Sequence, residues 1–374
     1  MRPNKLTIMN KFKYFFILLI ASVTFVSCNK DDDDDDVAPV PLRDYSVQYK
    51  ADNDSIEKYL KTNYMEVDQA TFDVKITKIP VGGTQTSIWD QTEYPLETRD
   101  VYNDGITYKV YYLTLNEGVG EAPCNFDAIN ASYVGNLLDG TVFDTSYGLG
   151  RDNNLGTEVI DGWSEIFPKF KTGKANAANA DGTVTYSDFG AGVMFLPSGL
   201  GYYSRTSGKV TAYAPLVFSF KLFNLQRLDH DGDGIFDINE DINGDGYVYD
   251  FRNKELYPNP PAALIDDTDK DGIADFIDID DDGDGYTTKL EITKPTGKVG
   301  VVIENGVPVN YGPSKYFPFE KFDIADDPST PNINEALNSE TKGIPAYAAT
   351  GEPDYISPGR LKLHLDKDHH KATP

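Results

Sequence analysis

The chain has 374 residues, a formal net charge of −26 and 40% hydrophobic side chains, which is enough for two or three domains with packed cores. The acidic excess is concentrated in the run Asp31–Asp36 and in residues 229–291, where twenty acidic side chains accompany four basic ones. This charge repels nucleic acid phosphates, so it argues against a nucleic-acid partner and favours cations that bind oxygen ligands.

The N-terminus has the pattern of an export signal. Lys11 and Lys13 precede a mostly apolar stretch, residues 14–26, that is too short to span a bilayer. The Ser-Cys pair ending at Cys28 resembles a bacterial lipobox, which implies cleavage before Cys28 and lipidation of that residue. An ordinary secretory signal with an incidental cysteine is the alternative.

The six aspartates that follow Cys28 form a charge run that cannot fold, and they predict a solvated spacer. This run is similar to the Lys-Asp-Asp type signal of Bacteroidota surface lipoproteins. The resemblance implies an outer-membrane lipoprotein held by its lipid at the cell surface, or otherwise at the periplasmic face.

Cysteine chemistry is not expected to carry the function. With Cys28 lipidated, Cys124 has no disulfide partner in the mature chain. The four histidines lie outside the candidate catalytic domain, which disfavours a Cys-His nucleophile at Cys124.

Residues 46–103 show no pattern typical of a catalytic site. Asp54 and Ser55 predict the cap of a short helix that begins near Ile56, and the alternation over Thr71–Ile76 predicts a strand. We expect this segment either to pack on the following domain or to form a small separate module.

The stretch 133–163 places apolar and aromatic side chains at strand spacing around one carboxylate, and its Asp-Gly pair at 139–140 predicts a turn. Its order Tyr-x-Gly-x-Leu-x-Asp-Gly-x-x-Phe-Asp-x-Ser, followed by Val-Ile-x-Gly-Trp, resembles the signature of FKBP-type peptidyl-prolyl cis-trans isomerases. Residues 195–202 resemble the Ile-Pro-x-x-Leu-Ala-Tyr motif of that family, and residues 214–222 resemble its last strand.

The resemblance covers residues 104–226 and implies an α+β fold, in which a curved antiparallel sheet wraps around one central helix. It implies isomerisation of proline-containing polypeptides without a cofactor. The proline ring would lie on Trp163, and Tyr202 would donate a hydrogen bond to a substrate carbonyl. Asp144, at the pocket edge, would orient or polarise the substrate. The implied pocket residues are Tyr133, Phe143, Asp144, Val159, Ile160, Trp163, Tyr202 and Phe218.

Three features depart from the family pattern. The segment Gly148–Leu155 is shorter than usual and lacks an aromatic residue after Tyr147, so one pocket wall is expected to be incomplete. The insertion Lys171–Asp188 predicts a lid or a surface loop. Tyr203 stands where the family usually has Gly.

Residues 227–292 contain repeated aspartate-rich loops. Residues 229–240 and 280–291 fit a twelve-residue calcium loop at every ligand position, residues 267–278 end in Asp instead of Glu, and the loop from Asp241 is half complete. The expected ligands are Asp229, Asp231, Asp233, Ile235, Asp237 and Glu240; Asp241, Asn243 and Asp245; Asp267, Asp269, Asp271, Ile273, Asp275 and Asp278; and Asp280, Asp282, Asp284, Tyr286, Thr288 and Glu291.

The close spacing of these loops resembles thrombospondin type-3-like repeats, which implies a compact segment wound around structural calcium ions. Without cations the carboxylates repel one another and the segment is expected to be disordered, so calcium binding should drive its folding. Extracellular sites of this kind have affinities of roughly 0.1–1 mM.

At the C-terminus, residues 298–303 predict a strand before an Asn-Gly turn, and His369-His370 are expected to lie in a disordered tail. The predicted division is a signal peptide at 1–27, an acidic linker at 28–45, an N-terminal extension at 46–103, an isomerase domain at 104–226, calcium-binding repeats at 227–292 and a C-terminal extension at 293–374. The leading hypothesis is a lipid-anchored prolyl isomerase that assists exported proteins. The alternatives are a non-catalytic peptide-binding or adhesion lipoprotein, or a protein whose functional interface is the calcium array.

Overall fold

A computed structural model describes residues 42–148, 152–294, 296–310, 314–316, 363–365 and 367 of the chain. The expected signal peptide, Cys28, the aspartate run and His369-His370 lie outside the described residues. Within the described part, the helices are too short or too polar to cross a lipid bilayer.

Most of the helices and strands in the described part of the chain lie before residue 227. In chain order they are α1 (Tyr45–Thr62), β1 (Asn63–Val67), β2 (Val74–Lys78), β3 (Leu96–Asn103), β4 (Ile106–Asn116), β5 (Ala128–Leu137), β6 (Val142–Ser146), β7 (Asn153–Asn154), α2 (Asp161–Ile166), β8 (Lys174–Ala175), β9 (Tyr186–Ser187), β10 (Gly190–Leu196), β11 (Leu216–Gln226), α3 (Thr288–Ile292), β12 (Val301–Glu304) and β13 (Val307–Asn310). Short 3₁₀ turns cover Phe167–Lys169, Ser198–Leu200, Asp237–Asn239, Ala262–Leu264, Asp275–Ile277 and Leu363–Leu365.

The main sheet is antiparallel, with strand order β3-β4-β10-β11-β5-β6 and with β7 paired to the start of β5. The central strand β10 is buried at every residue, because both faces of the sheet are covered. Strand β3 belongs to the expected N-terminal extension, yet it pairs over its whole length with β4. The sheet therefore begins before residue 104.

One face of the sheet packs against α2. Side chains at alternate positions of a strand point to opposite faces, so Met194 and Leu196 of β10 join the core that contains Trp163 and Ile166 of α2. This antiparallel sheet packed on one short helix confirms the predicted α+β architecture.

The other face of the sheet is covered by α1 and the β1-β2 hairpin. Val193 and Phe195 of β10 point to this side and form a second core with Ile56 and Leu60 of α1. The N-terminal extension thus packs on the sheet instead of forming a separate module.

The predicted helix start was wrong by about ten residues. Helix α1 begins at Tyr45, where the Asp44 side chain accepts hydrogen bonds from the backbone N–H groups of Ser46 and Val47. Asp54 and Ser55 lie inside the helix, where Asp54 pairs with a lysine and the Ser55 hydroxyl donates to the carbonyl of Ala51. Residues that favour caps can occupy a helix interior when such local bonds satisfy them.

The aspartate-rich segment is attached to the isomerase-like domain through residues 247–251. The side chain of Asn125 donates to the carbonyl of Val248 at 2.7 Å and accepts from its N–H at 2.8 Å. Cys124 lies beside this contact in a small core with Val248 and Phe276. Burial raises the pKa of the Cys124 thiol well above its usual range, so the thiol is protonated near neutral pH and is a poor nucleophile.

The predicted strand and turn near residue 300 are confirmed. Strands β12 and β13 form an antiparallel hairpin around Asn305 and Gly306. Both of these residues have positive φ, 51° and 82°, as two-residue hairpin turns of the primed types require.

Candidate functional site

A cluster of aromatic rings lies where α2 meets β5 and β11. The ring of Trp163 meets Tyr133 at 4.7 Å and Phe218 at 5.4 Å between centroids, both edge-on. Phe143 of β6 adds a further edge contact to Phe218 at 5.5 Å. Edge-to-face packing is the favoured arrangement of aromatic pairs, so the four rings form an ordered apolar surface.

Two glycines make this packing possible. A Cβ atom on Gly135 would lie 2.7 Å from the ring of Phe143, and one on Gly162 would lie 2.5 Å from the side chain of Leu196. Gly135 therefore leaves room for the rings above β5, and Gly162 lets α2 approach the sheet closely enough to place Trp163 beneath them.

The structure brings all eight sequence-predicted pocket residues together. Trp163 and Phe218 belong to the core of this face, and Tyr133, Phe143, Val159, Ile160 and Tyr202 pack half-buried against the same core. Asp144 is exposed at the edge, where its carboxylate accepts a hydrogen bond from the Tyr133 hydroxyl at 2.7 Å and one from the Thr145 N–H at 2.9 Å. The set is thus an apolar surface with one carboxylate at its rim.

Two polar groups of this cluster have no hydrogen-bond partner among the described residues. The Tyr202 hydroxyl makes no hydrogen bond with any residue that the structure describes. The indole N–H of Trp163 is buried and has no acceptor among those residues either. With no histidine in this domain, the cluster offers apolar binding and hydrogen-bond donation instead of acid-base or nucleophilic chemistry.

The turn that carries Tyr202 is held by α1, a contact that the sequence did not reveal. Asp52 is 2% exposed, and its carboxylate accepts from the backbone N–H of Ser198 at 2.8 Å and from the Ser198 hydroxyl at 2.6 Å. Burial raises the pKa of Asp52, and the Ser198 bonds oppose that shift. No local sequence signal links two residues 146 positions apart.

The structure explains how Tyr203 can stand at a position where the family usually has Gly. Its φ is +46°, a left-handed conformation that costs roughly 1–2 kcal/mol for a residue other than glycine. The ring of Tyr45 stacks on Tyr203 at 4.3 Å, and the Tyr203 hydroxyl donates to the Arg43 carbonyl. Contacts to the start of α1 therefore offset the strain at a position where the family usually has Gly.

The other two departures lie beside the cluster. Residues 149–151 of the shortened segment are outside the described residues, and Tyr147 just before them is 81% exposed. The insertion forms a small β8-β9 hairpin whose Tyr186 stacks on Phe223 of β11 at 5.9 Å. This contact favours a surface hairpin over a lid.

The four aspartate-rich loops share one backbone geometry. In each loop the carboxylate at position 5 accepts from the N–H at position 7, at distances from 2.7 to 2.9 Å. The first carboxylate accepts from the N–H at position 6, as between Asp229 and Gly234 at 3.1 Å. Glycine at position 6 has positive φ in all four loops, which explains why that position is glycine.

The residues expected as ligands at position 9 make hydrogen bonds inside their own loops. The carboxylate of Asp237 accepts from the N–H of His230 at 3.0 Å and contacts its Nδ1 at 2.6 Å. Asp275 braces Thr268 in the same way, and the Thr288 hydroxyl accepts from the N–H of Asp281 at 3.3 Å. Position 9 thus bonds to position 2 of its own loop and stabilises the loop shape.

In the described part of the chain, three groups of carboxylates are close enough to bind a cation, with the ligand atoms of each group within 4.8 Å of one another. They are Asp267, Asp269 and Asp271; Asp280, Asp282 and Asp284; and Asp231, Asp233, Glu240 and Asp281. Asp241 and Asp245 belong to none of these three groups, and the side-chain amide of Asn243 donates to the carbonyl of Ala263 at 3.1 Å. Asp278 instead accepts from the N–H of Asp280 at 3.0 Å, which links two successive loops.

Burial makes these carboxylates costly without a counter-charge. Desolvation and then repulsion from Asp233 raise the pKa of Glu240 to about 12, and desolvation followed by repulsion from other carboxylates raises that of Asp281 to about 10. Asp266, which the sequence pattern missed because it lies outside every loop, is fully buried and accepts from the N–H of Ile242 at 3.1 Å. Hard cations such as Ca²⁺ bind clusters of this donor type.

Comparison with known proteins agrees with the aromatic site. Residues 120–223 match the family model described as FKBP-type peptidyl-prolyl cis-trans isomerase, and residues 230–332 match the model described as BamM C-terminal. A probable FKBP-type isomerase FkpA of Neisseria meningitidis is 31% identical over 123 residues, and FkpA of Aeromonas hydrophila is 32% identical over 136 residues. The isomerase Mip of Coxiella burnetii is 34% identical over 89 residues.

These alignments cover 24–34% of this chain and only 37–41% of the relatives' own length. Residues 120–223, which match the family model, contain the aromatic cluster, Asp144 and the turn with Tyr202. The segment of this chain that carries the aromatic site, residues 120–223, is therefore similar to FKBP-type peptidyl-prolyl cis-trans isomerases.

Proposed function

We propose that this protein is a peptidyl-prolyl cis-trans isomerase that acts on proline-containing segments of exported polypeptides. The observation that carries the proposal is the cluster in which Trp163 lies beneath Tyr133 and Phe218, with the unpaired Tyr202 hydroxyl beside it. The family match of residues 120–223 supports it.

The chemistry needs neither a proton transfer nor a covalent intermediate. Rotation about the peptide bond has a barrier of about 18–20 kcal/mol because the resonance of the planar amide is lost. The twisted amide has less charge separation than the planar one, so an apolar surface that excludes water favours it. The proline ring would pack on Trp163, and the Tyr202 hydroxyl would donate to a carbonyl of the substrate and fix its orientation.

Substitutions in the cluster test the proposal. In an assay of cis-to-trans isomerisation of a prolyl peptide, we expect Tyr202→Phe to lower kcat/KM about threefold to tenfold, because one hydrogen bond of roughly 0.5–1.5 kcal/mol is lost. Trp163→Leu should cost more, since it removes the surface on which the proline ring lies. Tyr147→Phe, at an exposed position, is the matched control and should leave kcat/KM unchanged.

The same assay separates catalysis from simple binding. The exposed Tyr147 at the shortened segment supports the second candidate, a peptide-binding protein without turnover, because one side of the cluster lacks an aromatic wall there. If the wild-type protein does not accelerate isomerisation but still binds the peptide, the enzymatic proposal is overturned in favour of that candidate.

The contact between Asp52 and Ser198 predicts that α1 positions Tyr202. Asp52→Ala leaves the buried Ser198 N–H without its acceptor, which should lower the free energy of unfolding by about 1–3 kcal/mol and displace the Tyr202 turn. Displacements of about 1 Å at a reacting group can lower rates as much as 10²-fold, so we expect kcat to fall more than KM changes.

Two variants control this prediction. Asp52→Asn keeps an acceptor oxygen for Ser198 and should restore most of the activity, and Asp54→Ala on the exposed side of α1 should have no effect. A kcat for Asp52→Ala equal to that of the wild type would show that α1 does not position Tyr202.

We further propose that the aspartate-rich segment binds structural calcium, which stiffens the part of the chain that follows the isomerase domain. The support is the four-fold repetition of one loop geometry and the three groups of close carboxylates. Calcium would supply the positive charge that these carboxylates lack and would take no part in the isomerisation.

The lipobox-like sequence supports a third proposal, that the mature chain is anchored in the outer membrane by a lipid on Cys28. The envelope would then be the place where it meets newly exported clients. Mass spectrometry of the mature protein from membranes tests this: an unmodified N-terminal peptide that contains Cys28 would contradict it.

A further inference from the structure

One of the three groups of carboxylates in the aspartate-rich segment contains residues from two loops that are distant in sequence. Asp231, Asp233 and Glu240 come from the loop at 229–240, whereas Asp281 comes from the loop at 280–291. Their ligand atoms all lie within 4.8 Å of one another. The two loops are also joined by Lys289, whose ammonium group donates to the carbonyl of Gly232 at 2.6 Å.

Several carboxylate oxygens of this group are buried without a hydrogen-bond partner among the described residues. Glu240 is 2% exposed, and neither of its carboxylate oxygens has a hydrogen-bond partner among the described residues. Asp233 is also 2% exposed, and its Oδ2 likewise has no hydrogen-bond partner among the described residues. An unpaired buried carboxylate is strongly disfavoured, so a ligand of opposite charge is required when these groups are ionised.

The neighbouring residues are already committed to other bonds. Asp237, at position 9 of the first loop, is bonded to His230, and Lys289 is bonded to Gly232. Asp281, at position 2 of the last loop, is 1% exposed and is the fourth carboxylate of the group. Four carboxylates around one point suit Ca²⁺, which takes 6–8 oxygen ligands, and do not suit softer metals that prefer nitrogen or sulfur.

We propose that Asp281 is a direct ligand of the calcium ion bound by Asp231, Asp233 and Glu240, so that one ion joins residues 229–240 to residues 280–291. This inference rests on the proposed calcium binding of the segment and adds which residues share an ion. The first and last loops then close on each other, and the chain between them, including the Tyr247–Phe251 contact with the isomerase domain, is held inside a ring closed by the metal.

Hydrogen-exchange mass spectrometry of the mature chain, with and without calcium, tests the shared site. In the wild type, calcium should slow exchange in peptides from both 229–240 and 280–291. Asp281→Asn, which removes one charge without changing side-chain size, should abolish the calcium-dependent protection of 229–240. Asp233→Asn should in turn reduce the protection of 280–291. Asp250→Asn, at a carboxylate paired with Arg252, is the control and should change neither.

Calcium titration by calorimetry provides the second measurement. Asp281→Asn should weaken one site at least tenfold or remove it, and Asp281→Glu should retain part of the affinity. If Asp281→Asn alters only its own loop and leaves the protection of 229–240 intact, the shared site is wrong while calcium binding stands. If the wild type shows no calcium-dependent protection and no heat of binding, the proposed calcium function itself is wrong. Should Asp281→Asn lack structure, the Asp233→Asn arm decides by itself whether the two loops are linked.

Discussion

Removal of calcium is expected to unfold residues 229–294 while the sheet and α2 of the isomerase domain remain folded. The segment 229–291 carries twenty acidic and four basic side chains, and several of its carboxylates are buried without a counter-charge. When the free ion is present at one hundred times the dissociation constant of a site, its binding contributes about 2.7 kcal/mol to stability. For sites of roughly 0.1 mM affinity this corresponds to about 10 mM calcium, and several sites act together.

Far-UV circular dichroism and limited proteolysis, each with calcium and after addition of EGTA, measure this effect. Chelation should open cleavage sites between residues 229 and 294 and restoring calcium should close them. Magnesium at equal concentration is the control: it demands a more regular octahedral geometry and keeps its water ligands, so it should protect less. Proteolysis that is identical with calcium and with EGTA would exclude calcium as the element that orders this segment.

The FKBP-like domain could be predicted from the sequence because its signature residues are local. Gly135 and Gly162 stand next to the rings and the helix whose close packing requires them, and Trp163 follows Gly162 directly. A pattern of this kind records backbone geometry and side-chain size together. The sequence therefore predicted which side chains meet around Trp163.

Other features depend on contacts between segments far apart in the chain. Asp52 faces Ser198 only because α1 crosses the outer face of the sheet, and the hydrophobic pattern of α1 does not specify that crossing. The loop pattern likewise treats each aspartate repeat as a unit, so it did not include Asp266 or Asp281. In ordinary calcium loops, position 9 is a residue whose oxygen atoms can ligate the ion. Only the fold shows that in this chain the side chain at position 9 hydrogen-bonds to position 2.

A buried ion pair lies where the main sheet and α2 meet the aspartate-rich segment. Arg99 of β3 lies 2.8 Å from Glu165 of α2, and their side chains are only 13% and 6% exposed. The guanidinium group of Arg99 also donates to the Tyr249 hydroxyl at 2.9 Å and lies 3.4 Å from the ring centre of Tyr247. The Tyr247 hydroxyl donates to the backbone carbonyl of Glu165 at 2.9 Å.

Glu165 lies two residues after Trp163 on the same helix. The contacts of residues 247–249 with Arg99 and Glu165 therefore help to fix the position of the aromatic cluster. Tyr247 is in turn position 7 of the loop that begins at Asp241, so this contact links the two parts of the molecule through a single helix of six residues.

Replacement of Arg99 by Met is expected to lower the free energy of unfolding by about 3–5 kcal/mol, because it leaves the Glu165 carboxylate buried without its partner. Desolvation already raises the pKa of Glu165, and Arg99 opposes that shift. In the folded variant, the pKa of Glu165 should therefore be higher than in the folded wild type, and further above its value in the unfolded chain. Its deficit at pH 7 should narrow as the pH falls and the folded carboxyl group becomes protonated.

Urea unfolding in calcium, followed by tryptophan fluorescence between pH 5 and 8, measures this deficit. The double variant Arg99→Met with Glu165→Gln removes the uncompensated charge and should recover a large part of the loss, as a double-mutant cycle would show. Lys50→Met is the control, since the Lys50–Asp54 pair at 2.8 Å is exposed and solvent screens such pairs, so they contribute little to stability. A loss for Arg99→Met no larger than that of Lys50→Met would mean that this ion pair does not hold the two parts together. A large loss that shrinks at low pH would instead identify Arg99 as the residue that keeps Glu165 ionised, and with it α2 and Trp163 in place.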